Sequence, residues 1–435
     1  MFSRPLVHLS RRLLSTTPSA TTTARAIPPP PASRFSATPR GPEDAILGIT
    51  LAYNADQSPH KVNLGVGAYR DDAGLPFVLT PVRIAEKRLA QDEHHMEYLP
   101  VIGNRTFCDK AVALAYGQHS GLDMGCVARM QTLSGTGALR MAGELMTRFL
   151  SVRNGQAPVV LLPRPSWANH AAIFRDAGCR VGGYRYYDED TKGLDFEGCL
   201  RDLEEAEEGS VVLLHACAHN PTGVDFGESE WGRVSEVVRE KGMVALFDMA
   251  YQGFTSGDLD VDAEGVRRFV REGHRVILAQ SFSKNFGLYG QRVGCLSVVG
   301  DSVEEKEAVE SQLKIIARPM YSNPPIVGVR LVEEILKDEK LEIMWREEMK
   351  GMAERIQGMR KMLREGLEGV GSRLDWGHVE KQNGMFCYSG LTAQQVDRLR
   401  REFSVYLTAN GRISMAGVTT GNVGYLADAM HRVTK

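Results

Sequence analysis

Between residues 158 and 300 short apolar runs alternate with helical stretches: PVVLLP, VGGYRYY, VVLLHA, MVALFDMA, RVILAQS and GCLSVVG. This alternation predicts an α/β sheet. Near-continuous Val and Leu imply strands buried on both faces, which requires helices above and below the sheet. Chemistry in such sheets gathers at strand ends.

The 435 residues exceed the usual size of one core, so two domains are expected. From Leu341 onward, Leu341, Trp345, Met349, Met352, Ile356, Met359 and Leu363 step by three or four residues. That spacing predicts one long amphipathic helix joining two domains. Its five methionines between 344 and 362 read as a core face rather than a binding surface. Beyond residue 40 there is neither an internal repeat nor a low-complexity tract.

The net charge of -2 conceals an uneven distribution. Residues 1–40 contain Arg4, Arg11, Arg12, Arg25, Arg34 and Arg40 and no acid, so the remainder carries about -8. A mildly acidic body has no electrostatic reason to bind nucleic acid or an anionic membrane surface. No apolar run is long enough to span a bilayer. The leading segment, rich in Arg, Ser and Thr, predicts a mitochondrial presequence over 1–40 and hence a matrix location; a disordered basic tail is the alternative. Seven scattered cysteines without a C-x-x-C pair are expected as reduced thiols. Asn104-Arg-Thr106 matches the glycosylation triplet by chance.

Four short motifs carry chemistry. Ser134-Gly-Thr-Gly-Ala138 sits between the run ARMQTL and an expected helix, LRMAGELMTRFL. Small residues there let backbone N–H groups approach an anion, although a helix-capping turn explains them equally well. It is not a dinucleotide fingerprint, because Arg140 stands at the third glycine position. Asp248 ends the strand MVALF, with Tyr251 just beyond, and a buried Asp needs a cationic partner. Asn220-Pro-Thr-Gly223 is a turn that aims an amide towards the same edge. Ser281-Phe-Ser-Lys284 closes RVILAQ, with Arg292 eight residues after the lysine. A lysine at a buried strand end is costly unless it is used, and Schiff-base formation is the best-known use. The Ser-Asp-Asn and Lys-Thr-Gly triplets that accompany Ser-x-x-Lys in penicillin-binding hydrolases are missing. His215 and His219 have zinc-helix spacing but lack the glutamate of H-E-x-x-H and fall at a strand end, so no metal site is expected.

Taken in order, VNLGVGAYRDD, EYLP, SGTGALR, PSW, LLHACAHNPTG, FDMAYQGF, QSFSKNFGLYGQRVG, RPMYSNPP and GRISMAGV resemble the aspartate aminotransferases of the fold-type I pyridoxal-phosphate family, collinearly from about Gly41 to Lys435. The resemblance implies a large domain over 76–345, with a mixed, mostly parallel sheet flanked by helices. It implies a smaller α/β domain from both chain ends: an N-terminal arm and part of the small domain over 41–75, and the rest over 346–435. It implies pyridoxal 5′-phosphate bound covalently by Lys284, with Asp248 on the ring nitrogen, Tyr251 and Asn220 on the ring oxygen and Trp167 on the ring face. Gly135, Thr136, Ser281 and Arg292 would hold the phosphate together with Tyr98 from a second subunit, so a homodimer with shared sites is expected. Arg412, with the backbone near Gly67, would take the substrate α-carboxylate. Trp167 and Asn220 would help hold the substrate, and a neighbour's Arg318 would select dicarboxylates. His170 and His215 would steady Asp248.

The implied reaction is ping-pong, moving the amino group of L-aspartate to 2-oxoglutarate to give oxaloacetate and L-glutamate. Two departures from the pattern, Ala45 for Pro and Ser283 for Ala, touch no assigned role. An aromatic or kynurenine-type aminotransferase is the nearest rival, and Arg318 argues against a strict aromatic preference. A non-catalytic binding protein on this fold would be expected to have lost Lys284 or Asp248; both are present.

Overall fold

The computed structural model describes residues 33–41, 47–92, 96–117, 121–150 and 155–435. Most of the expected presequence, and Ala45, lie outside the described residues. The chain divides into two compact units, Met1–Glu43 and Asp44–Lys435. In the described part of the first, Ser36 N donates to Ser33 O and Thr38 N to Phe35 O, forming a short turn with an exposed Phe35 ring.

The second unit is built on a seven-stranded sheet. In chain order its strands are β1 (Val127–Leu133), β2 (Val159–Arg164), β3 (Arg180–Arg185), β4 (Val211–His215), β5 (Val244–Met249), β6 (Ile277–Ser281) and β7 (Val293–Val299). Their order across the sheet is β1-β7-β6-β5-β4-β2-β3. β7 pairs antiparallel with β1 and β6, whereas the other pairings are parallel. The apolar runs of the sequence are these strands.

Burial on both faces is realised with period two. In β4, Val212 and Leu214 enter a core shared with helices 105–116, 196–205, 228–240 and 264–271. Val211 and Leu213 enter the opposite core, with helix α1 (Ser134–Phe149), helix 169–176 and helix α2 (Val303–Met320). Because the side-chain period of a strand is two, His215, Asp248 and Ser281 all fall on the α1 face at the ends of their strands. The sheet thereby aims its last residues at the first turn of α1.

The expected long helix is α3 (Glu339–Gly369). It starts where the Asp338 side chain accepts from the backbone N–H groups of Lys340 and Leu341, at 3.0 and 3.3 Å. Met349, Met352 and Met359 lie in its buried stripe, as a core face requires, whereas Met344 is half-buried and Met362 exposed, outside that face. Trp345, fully buried, donates Nε1–H to Asn285 O at 2.7 Å and stacks on Phe286 at 4.2 Å between centroids. It thus fixes the loop that carries Lys284, and truncating it to Ala would cost about 3–5 kcal/mol.

Residues from the two ends of this unit are stitched together. Val62–Asn63 pair in parallel with Val405–Tyr406. Leu64 N donates to Tyr406 O at 2.7 Å, and Ser414 N to Leu64 O at 2.8 Å. A second pair, Phe386–Tyr388 with Arg412–Ser414, is antiparallel.

Candidate active site

A cavity of about 200 Å³ opens at this strand-end edge. Gly67, Gly135, Thr136, Trp167, His215, Asn220, Asp248, Tyr251, Ser281, Lys284, Arg292 and Arg412 line it, bringing together residues that the sequence spreads over more than 340 positions. His170 stands directly behind, fully buried. Tyr98 and Arg318 do not line it. Tyr98 is 83% exposed, and Arg318, at the end of α2, donates to Ser322 Oγ at 2.8 Å and Asn323 Oδ1 at 3.4 Å on the surface. Asn323 in turn donates to the carbonyl of Leu99 at 2.6 Å, so Arg318 and Tyr98 belong to one stretch of surface.

Asp248 is 7% exposed and accepts from, or shares a proton with, His170 Nε2 at 3.1 Å. The other nitrogen of that imidazole faces Ser166 Oγ at 2.7 Å. Burial pushes the Asp248 carboxyl up, but the hydrogen bond and charge of His170, with help from Lys284, outweigh it and hold the group below its ordinary range. His215 packs edge-on against His170 at 5.3 Å, and burial drives its pKa down to about 3. His170, His215 and Asp248 have donor atoms within 4.8 Å of one another, yet His170 and Asp248 are already bonded to each other. His219, the other half of the zinc-like spacing, faces Thr222 Oγ1 at 2.7 Å instead.

Lys284 follows the end of β6 with its ammonium 5.2 Å from the centre of the Tyr251 ring. Burial pulls its pKa down to about 8, against the opposing influence of Asp248 and with the help of Arg292. An amine with a sizeable neutral fraction near physiological pH is suited to nucleophilic and base chemistry. Burial likewise raises the Tyr251 hydroxyl.

Ser134-Gly-Thr-Gly is the first turn of α1 itself rather than a segment before it. Ser134 adopts φ 62° and Arg292 φ 55°, left-handed values uncommon outside glycine. The two meet: Ser134 N donates to Arg292 O at 3.2 Å. Such backbone costs on the order of 1–3 kcal/mol per residue and concentrates at working sites. It turns the Ser134 hydroxyl to within 3.0 Å of Ser281 Oγ and 2.8 Å of Ser283 Oγ, and Arg292 Nη1 donates to Ser283 Oγ at 3.3 Å. Three hydroxyls and one guanidinium thus surround the start of a helix, a ready anion cup. Ser283 was missed as a site residue, and Ser134 was read only as part of the small-residue motif, its hydroxyl given no role. Ser283 joins the cup, contrary to the expectation that its departure from Ala has no bearing on the site. Their signal was hydroxyls at short spacing around a strand end.

Arg412, 5% exposed, donates from Nη1 to Asn220 Oδ1 at 3.2 Å and from Nη2 to Gly65 O at 2.8 Å. Its guanidinium lies 4.2 Å from the centre of the Phe386 ring, and its buried Nε has no partner. Phe386 also explains Gly67, where a Cβ would come within 2.8 Å of Phe386 Cζ. Phe386 too escaped the sequence reading, for an aromatic in a strand reads as core.

A larger cavity of about 480 Å³ lies beside helices 105–116 and 264–271. Its Arg267, Arg271 and Arg346 are paired with Asp260, Glu264 and Glu342, leaving no convergent reactive groups there.

Residues 59–430 match the family Aminotransferase class I and II. Aspartate aminotransferase, mitochondrial, from Arabidopsis thaliana is 54% identical over 395 residues, covering 91% of this chain and 90% of the plant protein. Among solved structures, the aromatic-amino-acid aminotransferase of Burkholderia pseudomallei, covalently bound to pyridoxal phosphate, superposes with a TM-score of 0.89 at 42% identity, covering 93% of this chain and 100% of that one. A mitochondrial aspartate aminotransferase from Trypanosoma brucei superposes with a TM-score of 0.84 at 44% identity, covering 89% and 100%.

Proposed function

This chain belongs to the class I and II aminotransferases, and from that premise we propose that it moves the amino group of L-aspartate to 2-oxoglutarate, giving oxaloacetate and L-glutamate, with pyridoxal 5′-phosphate as cofactor. One observation carries the reading: a single cavity joins a depressed lysine, a buried ionised carboxylate, a hydroxyl-and-arginine cup and a separate buried arginine.

These residues suit that cofactor. The cup offers Ser134, Ser281, Ser283 and Arg292 to a phosphate, and glycine at position 135 keeps it uncrowded, since a Cβ there would lie a tight 3.1 Å from Ser281 Cβ. The orphaned Nε of Arg412 suits a carboxylate arriving from outside. When bound, pyridoxal 5′-phosphate supplies an electron-accepting ring conjugated to the carbon that receives the amino group.

In this reading Asp248, kept ionised by His170, would hold a proton on the ring nitrogen, while His215 stays neutral beside the pair. Tyr251 and Asn220 would hold the ring oxygen, Trp167 would cover the ring face, and Gly135 and Thr136 would add backbone N–H groups to the phosphate cup. Lys284 Nζ would tether the cofactor and would serve as the base for the proton on the substrate Cα. Positioned proton transfer of this kind supplies roughly 10²–10⁴-fold. Arg412 forks the α-carboxylate with the Gly67 backbone closing over it. Arg318 of the partner subunit takes the side-chain carboxylate, and Tyr98 of the partner subunit completes the phosphate site. Their shared surface position outside their own cavity supports a homodimer.

The division into an N-terminal arm and partial small domain over 41–75, a large domain over 76–345 and the remainder over 346–435 belongs to the same proposal, supported by the stitching of residues 62–64 to 405–414. The mitochondrial relative and the basic residues 1–40 support a matrix location. A fluorescent reporter fused to residues 1–40 should enter mitochondria; a cytosolic reporter would remove the location.

The purified protein should be yellow, change colour on adding aspartate, and form oxaloacetate with aspartate and 2-oxoglutarate. Failure to form oxaloacetate would refute the activity. Likeness to an aromatic-amino-acid aminotransferase favours a second reading, in which phenylalanine is also used. Comparing kcat/KM for the two amino acids decides between them.

A further inference from the structure

Arg360 is 1% exposed in the middle of α3 and has no carboxylate within bonding reach among the described residues. Its guanidinium instead takes up backbone carbonyls. Nη1 donates to Val379 O at 2.9 Å, and Nη2 donates to Asn383 O at 3.1 Å, to Gly384 O at 2.8 Å and to Phe386 O. A buried charge is expensive, and four carbonyl dipoles converging on one cation fold residues 379–386 around it. Helix packing alone needs no charge at this position, since its stripe is otherwise almost wholly apolar.

The clasped segment leads to two groups that hold Arg412. Its last residue, Phe386, places its ring under the Arg412 guanidinium and 5.8 Å from the Tyr251 ring. Its middle lies on the turn that carries Asn220. Asn383 N donates to Gly223 O at 2.5 Å. A Cβ on Gly223 would stand 2.6 Å from Phe386 O, and one on Gly384 would stand 2.3 Å from Ala218 Cβ. Asn220 is the acceptor for Arg412 Nη1. Two of the supports of Arg412 therefore meet at the segment that Arg360 clasps, although Arg360 does not line the cavity.

We propose that Arg360 is a positioning residue for the substrate carboxylate: by clasping residues 379–386 it holds Phe386 and the Asn220 turn where they orient Arg412. The inference rests on the reading of Arg412 given above. Arg360 takes no part in proton transfer, and it reaches the lysine and Asp248 side of the cavity only through Phe386 and Asn220, which also serve the cofactor pocket.

The test uses the full-length holoenzyme with Arg360→Lys and Arg360→Gln. Steady-state kinetics with aspartate and 2-oxoglutarate are measured alongside the spectral pH titration of the bound cofactor and the binding of maleate, a non-reacting dicarboxylate. Expected are a tenfold or greater rise in KM for both substrates, a parallel weakening of maleate and a kcat within threefold of wild type. The spectral titration should move far less than the maleate affinity, and Lys should restore part of what Gln loses. An unchanged KM, or a shifted titration with intact maleate binding, would overturn the proposal. Should both variants fail to fold, Phe386→Leu decides: it should reproduce the KM and maleate pattern, and normal values would overturn the link from the clasped segment to Arg412. Wild-type enzyme that binds maleate without transaminating aspartate would instead refute the activity, a result distinct from either.

Discussion

His170 and Asp248 form a buried pair, Nε2 to Oδ2 at 3.1 Å, with the other imidazole nitrogen fixed by Ser166 at 2.7 Å. The pair keeps a carboxylate charged where burial would neutralise it. Replacing His170 by Leu removes a hydrogen bond to a charged group, worth about 1.5–3 kcal/mol. The Asp248 carboxyl then moves up, and its ionised form is lost at higher pH than in wild type. Expected are a fall in kcat/KM of about 10- to 100-fold and an acid limb of the pH profile displaced upward. A profile superimposable on wild type would detach His170 from this role.

Lys284 titrates at about 8 in the folded protein against an ordinary 10.5. In cofactor-free protein its reaction with an amine-directed acylating reagent should rise with pH and level off above about 8, while surface lysines keep rising. Arg292→Leu should move the inflection up, because Arg292 helps depress the amine, and Asp248→Asn should move it down. Between about 8 and 10.5 the unfolded chain holds a proton that the folded one has released, so this group makes stability rise with pH across that window. An inflection near 10.5 would contradict the environment described for Lys284. Lys284→Ala should abolish transamination while leaving noncovalent cofactor binding.

Gly384 has φ 70°, and a side chain there would drive Cβ to 2.3 Å from Ala218 Cβ. Gly384→Ala combines backbone strain with overpacking and should cost about 2–4 kcal/mol in denaturant unfolding. A loss under about 0.5 kcal/mol would mean that the segment yields easily.

Arg318→Leu removes a charge-assisted fork from the proposed side-chain carboxylate site, at roughly 2–5 kcal/mol. The kcat/KM for aspartate should drop about thirty- to several-thousand-fold, with little loss for phenylalanine. Because the arginine is proposed to serve the partner's cavity, mixing Arg318→Leu with Lys284→Ala subunits should restore some aspartate activity. Equal losses for both amino acids, or no recovery despite demonstrated subunit exchange, would count against this role.

The sheet and the residues at its strand ends were legible because apolar runs announce strands, and a polar residue that ends such a run needs a use. Lys284, Asp248 and Ser281 are of that kind. The small-residue motif at 134 was legible as an anion site but not as the opening turn of α1. Ser134 enters the helix with positive φ under a tie to Arg292, a partner 158 positions away. Ser283, Phe386 and Arg360 were illegible for a related reason. Each acts through a contact distant in sequence, and locally each resembles an ordinary hydroxyl, core aromatic or helix cation.

Arg412 and the carbonyl of Gly65, bonded at 2.8 Å, are 347 positions apart. The cup and the lysine, by contrast, come from residues 134–292. Synthesis from the N-terminus therefore completes the groups at the lysine end of the cavity well before the arginine that anchors the incoming acid exists. A polypeptide interrupted between residues 292 and 412 would carry the attacking amine and the cup but no arginine to seat an amino acid, so competence arrives only with the final stretch of translation.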